Sequence, residues 1–243
     1  MNTDRNKLKT NFFICSDRRT GSHMLASALN QHSQLRMAGE IFVRPSRFGL
    51  RPLSQAEASE TGVLDAYIDE AYASFSGFIV HRNLPRCIEA LGRRQDVAVI
   101  FLSRRQWLAE FASNRIAEHT QSWHVPSEAG EFLSDDGARI GITQPEIAVS
   151  VDDALAYLDA IIRREIGALR QLRSLRQLPV MYEDLVDNWD DCIRRICTFL
   201  NIPVEPLKPQ TARQESRPIS SVIKNWGEID RFFSGTRWSV PRN

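Results

Sequence analysis

Three short apolar runs constrain this chain more than any other feature: FFIC at 12–15, GFIVH at 77–81 and VAVIFL at 97–102. Each is rich in β-branched or aromatic residues and lacks the polar alternation of a half-exposed strand. That is the pattern of strands buried on both faces, as in a parallel sheet. PVMY at 179–182 reads as a fourth. Helical patterns fill the gaps at 24–31, 63–74, 85–91 and 152–175, and strands alternating with helices predict an α/β protein with helices on both faces of the sheet. A chain of 243 residues with 42% hydrophobic content can bury one large core. No repeat, low-complexity tract or break in composition marks a second unit, so one domain is expected over 1–243, with a flexible start at 1–10.

The stretches 43–62 and 120–150 mix Gly, Pro, Ser and acids with weak periodicity. Loops of that length inside a compact domain tend to be functional. The tail from 210 to 243 carries Trp226, Phe232, Phe233 and Trp238, too aromatic for a disordered extension, and is expected to fold back as a cover.

The formal net charge of +1 gives no global field that would favour nucleic acid or an anionic membrane, so any anion must be recognised by a local cluster. No run approaches the ~18 apolar residues of a membrane span. Residues 2–10 are polar and 11–15 form only a short apolar stretch, unlike a secretory leader, so a cytoplasmic protein is expected. Cys15, Cys87, Cys192 and Cys197 are scattered without the CxxC or Cys/His spacing of a zinc site and read as reduced, buried thiols. No metal is expected. Homo-oligomerisation is left open.

The turn after the first strand, SDRRTGSH at 16–23, is where chemistry enters. A strand running through such a turn into a helix brings backbone N–H groups and the positive helix end onto a phosphate-like group. Gly21 would let the backbone approach closely, Thr20 and Ser22 offer hydroxyls, and Arg18 and Arg19 offer guanidinium groups. The turn is not a Walker A loop, because Ser22 and His23 stand where Lys-Ser/Thr would follow the glycine. The strand at 97–102 ends in Ser-Arg rather than the aspartate that holds magnesium in P-loop NTPases. The alternative reading is a helix start capped by Ser16 or Asp17, with both arginines in solvent.

RRTGSHML at 18–25 resembles the 5′-phosphosulfate loop of sulfotransferases that use 3′-phosphoadenosine 5′-phosphosulfate (PAPS). FLSRRQWLAEFASNRIAEHTQSW, beginning at 101, is similar to their 3′-phosphate element, in which an arginine at a strand end precedes a helical serine by eight residues. Arg105 and Ser113 fit that spacing, with Arg104 as the adjacent alternative. AGEIF at 38–42 is similar to the bacterial carbohydrate-sulfotransferase branch, the trehalose and nodulation-factor types, where the glutamate after glycine is implied to be the catalytic base. Glu40 holds that place. YEDLVDNWDDCIRRICTFLNI at 182–202 and the tail with IKNW also resemble this branch and read as architecture.

The resemblance implies a P-loop-like three-layer fold and transfer of a sulfuryl group from PAPS to a carbohydrate or glycoconjugate hydroxyl. Glu40 and Arg19 would be catalytic, and Arg18, Arg19, Thr20, Gly21, Ser22, His23, Met24, Arg105 and Ser113 would bind the donor. Loops 43–62 and 120–150 would shape the acceptor pocket, with Trp123 and the tail aromatics free to stack on sugar rings. Two departures stand out: Met24 replaces a tryptophan that lies beside adenine in cytosolic relatives, and Ile79 replaces a frequent lysine. His81, His23, His119 and His124 are further polar groups that could approach an acceptor. The rival readings are a P-loop-type nucleotide kinase or NTPase, and a non-catalytic binder of nucleotide or sulfated glycan.

Overall fold

In the computed structural model of the protein the described residues are 11–43, 51–54, 56–120, 146–210 and 217–239. The start at 1–10, most of the stretch 120–150 with Trp123 and His124, and part of 43–62 lie outside them.

Four parallel strands form one sheet: β1 (Asn11–Ser16), β2 (Gly77–His81), β3 (Val97–Ser103) and β4 (Arg176–Met181), in the order β2-β1-β3-β4. The helices are α1 (Ser22–Leu29), α2 (Thr61–Ser74), α3 (Pro85–Gly92), α4 (Trp107–Thr120), α5 (Val151–Leu172), α6 (Tyr182–Asp187), α7 (Trp189–Leu200), α8 (Ile219–Val222) and α9 (Trp226–Phe233). The fourth strand is placed differently from expectation. It starts at Arg176 and ends at Met181, and Tyr182 opens α6. Its half-exposed N-terminal half, RQL, carries no continuous apolar run and so gives no strand signal in the sequence.

Alternation along β1 divides the core. Phe13 and Cys15 face α2, α3 and the C-terminal part of α5, whereas Phe12 and Ile14 face α1 and α7. Both phenylalanines are fully buried, each contributing roughly 2 kcal/mol or more by area. Helices therefore cover both faces of the sheet, as the buried runs require. All four cysteines are free and buried.

A third apolar cluster joins α4, the first half of α5, α8 and α9. The tail folds back here: Phe233 packs edge-on against Trp107 with centroids 5.0 Å apart, and Trp107 Nε1 donates to the Trp238 carbonyl at 3.1 Å. The asparagine of IKNW is structural. Asn225 Nδ2 donates to the Val149 carbonyl at 2.7 Å and its Oδ1 accepts the Val149 N–H at 3.0 Å, beside a parallel bridge between Ile147 and Ile223. Phe233 is thus used up in the core rather than free to stack on a sugar, while Phe232 is exposed. No helix among the described residues is long and apolar enough to cross a membrane.

From β1 the chain crosses to β2 on one side, and from β2 it passes over β1 to β3 on the other. The turns after β1 and β3 therefore diverge at one sheet edge, the switch point where open parallel sheets bind ligands.

Candidate active site

The turn after β1 closes on itself before it meets any ligand. Thr20 is fully buried, and its hydroxyl donates to the Asp17 carbonyl at 2.8 Å. That hydroxyl braces the turn, a use that spacing could not reveal. Arg19 has φ +63° and Gly21 φ +83°, so two left-handed residues bend the chain into α1. Gly21, not Ser16 or Asp17, is the N-cap, and no side chain caps the helix start. A Cβ on Gly21 would also stand 2.7 Å from Tyr182 Cδ2, so glycine is required twice over.

Arg18 is exposed, while Arg19 is half-buried and turned inward. Arg19 Nε donates to Ser113 Oγ at 3.0 Å. Lost hydration, and then repulsion from Arg104, push the Arg19 pKa down to about 10, which leaves it cationic at neutral pH. Arg104 donates to the Arg19 carbonyl at 3.1 Å and lies 4.4 Å over the Tyr182 ring. Ser22 is buried at the start of α1, and half-buried Met24, like Tyr182, approaches Gly21.

The structure brings Ser113 to Arg19, but Arg105 turns elsewhere. Arg105 donates to Asp184 Oδ1 at 2.6 Å, and its N–H, like that of Gln106, is held by the Glu183 carboxylate. The two residues of the eight-residue spacing thus engage different partners, Ser113 the Arg19 guanidinium and Arg105 the acidic start of α6.

Under the turn lies a buried ion network that the sequence reading missed. Arg82, just past β2, donates to Asp17 Oδ2 at 3.1 Å, to the Leu102 carbonyl at 2.6 Å and to Ser103 Oγ at 2.6 Å, with its guanidinium 4.3 Å over Phe101. Arg164 of α5 donates to Asp17 Oδ1 at 2.7 Å. Three strand ends and α5 are tied to Asp17. Glu110 of α4 is also buried and accepts a hydrogen bond from the Tyr157 hydroxyl at 3.0 Å. Burial, with Asp17 adding repulsion, raises the Glu110 pKa to about 8. Isolated Asp17, Arg82 and Glu110 carry no motif, so only their placement reveals them. Tyr182 had a weak signal, since it directly follows a strand at the sheet's carboxyl edge.

Glu40 reaches the site on a segment that follows α1 and pairs alongside β2. Met37 bridges Gly77, the Gly39 carbonyl accepts the Ile79 N–H at 2.8 Å, and Gly39 at φ +77° turns the chain there. Glu40 Oε1 lies 2.6 Å from His23 Nε2 and 2.8 Å from His81 Nε2. Burial would raise its pKa, but hydrogen bonds from both histidines and their nearby charge outweigh it and hold the carboxyl well below the usual carboxylate range. His81 shares the α1-facing side of β2 with Ile79, which is why it meets His23. His119 is exposed on α4 and has no part in this cluster.

No protein-family model matches the chain. It is 24% identical over 235 residues to nodulation protein H of Rhizobium tropici, covering 92% of this chain and 89% of that protein. Nodulation protein H of Rhizobium meliloti is also 24% identical over 235 residues, with 92% and 91% covered. The crystal structure of a sulfotransferase from Alicyclobacillus acidocaldarius superposes with a TM-score of 0.50 at 14% identity, covering 92% of this chain and 91% of that one. The chain has the sulfotransferase fold, and its sequence is similar over nearly its whole length to the nodulation H proteins.

Proposed function

We propose that this protein is a sulfotransferase that moves the sulfuryl group of PAPS to a hydroxyl of a carbohydrate or glycoconjugate. One observation carries the reading. The cationic start of α1, with Arg19 beside it, adjoins an ionised carboxylate, Glu40, whose Oε1 is held by His23 and His81. An anion cradle next to a base suits a transfer in which negative charge grows on a departing phosphate while a hydroxyl loses its proton.

In this reading the backbone amides from Arg19 to His23, with the Arg19 guanidinium, hold the phosphosulfate. The acceptor oxygen bonds to sulfur as the bond from sulfur to the 5′-phosphate oxygen breaks, and Glu40 takes the hydroxyl proton. Alignment and charge stabilisation are the main demands of such a step. Arg18, Ser22 and Met24 line the donor side, and Arg105 and Ser113 receive the 3′-phosphate. The exposed pair of Arg105 and Asp184 is no obstacle, since surface ion pairs of this kind contribute at most about 1 kcal/mol and a phosphate can displace the carboxylate. The resemblance of AGEIF to the carbohydrate-sulfotransferase branch favours a carbohydrate acceptor over other hydroxyls.

Calorimetric titration with 3′,5′-diphosphoadenosine beside ATP tests the donor. Tight binding of the diphosphate with weak, magnesium-independent binding of ATP is expected. Preference for magnesium-ATP would restore the kinase reading, and binding of neither would remove the nucleotide altogether.

A further inference from the structure

His23 belongs to two parts of the site at once. It is the second residue of α1, so its backbone is part of the helix start that follows the glycine turn, and its ring reaches the carboxylate on the far side. Glu40 Oε1 accepts from two imidazoles, whereas Glu40 Oε2 takes no hydrogen bond from a described residue. Two N–H groups on one carboxylate oxygen fix the plane of the carboxylate, and with it the direction of the second oxygen.

The histidines are not equivalent. His81 is 4% exposed, and among the described residues its Nδ1 has no partner, so the ring is tied to the carboxylate through Nε2 alone. His81 comes from β2, and the segment that carries Glu40 is hydrogen-bonded alongside β2, so these two alone would fix the base to the sheet but not to the donor. His23 supplies the missing link.

We propose that His23 is a positioning residue that locks the general base to the helix carrying the donor cradle. The proposal rests on the sulfotransferase reading above. Through His23, the distance between the departing phosphate and the proton acceptor is set within one turn of α1 rather than across a loop. The proton still goes from the acceptor hydroxyl to Glu40 Oε2, and His23 gives up none. Rigid placement of this kind matters because a misplacement near 1 Å can cost about 100-fold in rate.

The test compares His23→Ala with His23→Gln, whose side-chain amide N–H can stand near the lost Nε2–H. In the free protein, carbon-13 NMR of the glutamate carboxyls, with Glu40 assigned by Glu40→Gln, reads the hydrogen bond directly. The Glu40 signal should begin to titrate at higher pH in His23→Ala and return toward wild type in His23→Gln. Calorimetry with 3′,5′-diphosphoadenosine should find affinities within about threefold of wild type. Turnover of PAPS with methyl β-glucoside as acceptor should fall roughly 10- to 100-fold in His23→Ala and largely recover in His23→Gln.

An unmoved Glu40 signal in His23→Ala overturns the proposal, as does a glutamine variant no better than alanine. A diphosphate affinity that falls in step with turnover also overturns it and makes His23 a donor ligand. If wild type binds no 3′,5′-diphosphoadenosine while the NMR response holds, the sulfotransferase reading fails and the contact between His23 and Glu40 stands.

Discussion

Arg19 Nε and Ser113 Oγ meet at 3.0 Å although 94 positions separate them in the chain. This bond joins the turn after β1 to α4, the helix after β3, across the switch point of the sheet. It also holds the guanidinium inward, beside the start of α1.

Arg19→Ala is expected to lower turnover by about 100-fold or more, the scale of losing a donor that stabilises developing charge. Binding of 3′,5′-diphosphoadenosine should fall much less. Steady-state kinetics set against calorimetry decide the matter: equal losses in both would assign Arg19 to ground-state binding instead.

Arg105 and Arg104 separate by the same titration. Arg105→Ala should weaken 3′,5′-diphosphoadenosine far more than AMP, since only the former carries a 3′-phosphate. Arg104, stacked on Tyr182 and bonded to the Arg19 carbonyl, should affect both nucleotides alike when replaced by alanine. The reverse pattern would move the 3′-phosphate contact to Arg104.

Glu40→Gln should reduce turnover by ~100-fold or more while leaving nucleotide affinity largely intact. Because the folded-state pKa of Glu40 is depressed, its ionised form persists as pH falls through 4.5, the ordinary carboxyl value. The stability it contributes is present above that value and is lost only at much lower pH. The pH profile of kcat/KM should therefore show no fall attributable to Glu40 near 4.5, and a limb there that vanishes in Glu40→Gln would contradict the arrangement.

Arg82 is nearly inaccessible and neutralises Asp17 beneath the turn. Arg82→Met leaves buried acceptors at Asp17, Leu102 and Ser103 without their donor and should cost about 3 kcal/mol or more in urea unfolding. Arg163→Ala, which breaks a solvent-exposed pair with Asp159 on α5, serves as the control and should change nothing measurable. Similar small effects for both would remove the network from the account of how the turn is held.

Glu110 gives a pH signature of the opposite sign to Glu40. Its folded-state pKa is raised to about 8 against an ordinary 4.5, so the unfolded chain ionises first as pH rises. Its contribution is most favourable below 4.5 and is lost progressively up to about 8. Glu110→Gln, which stays neutral, should gain Tm relative to wild type on going from pH 5 to pH 8. Parallel Tm curves for the two proteins would show that Glu110 is ionised in the fold.

Much of this was legible in the chain itself. FFIC, GFIVH and VAVIFL are buried on both faces, so their strands show as unbroken apolar runs, whereas the half-exposed start of β4 at 176–178 gives no such run. Gly21 stood out as a lone glycine at a strand-to-helix turn, and its left-handed backbone there is the physical reason for it. The fold class and the place of the turn after β1 thus follow from local pattern, whereas Glu40 stood out only through the resemblance of AGEIF to a known family.

What the tertiary structure alone decided is which polar groups face one another. Thr20 closes its own turn, Ser113 takes Arg19 rather than Arg105, and Asp17 gathers arginines from positions 82 and 164. His23 and His81 converge on one oxygen of Glu40 because β2 and α1 pack face to face. Such pairings depend on through-space distance and on desolvation, and apart from the local Thr20 bond they join residues 17 to 147 positions apart, which leave no periodic trace of either in the sequence.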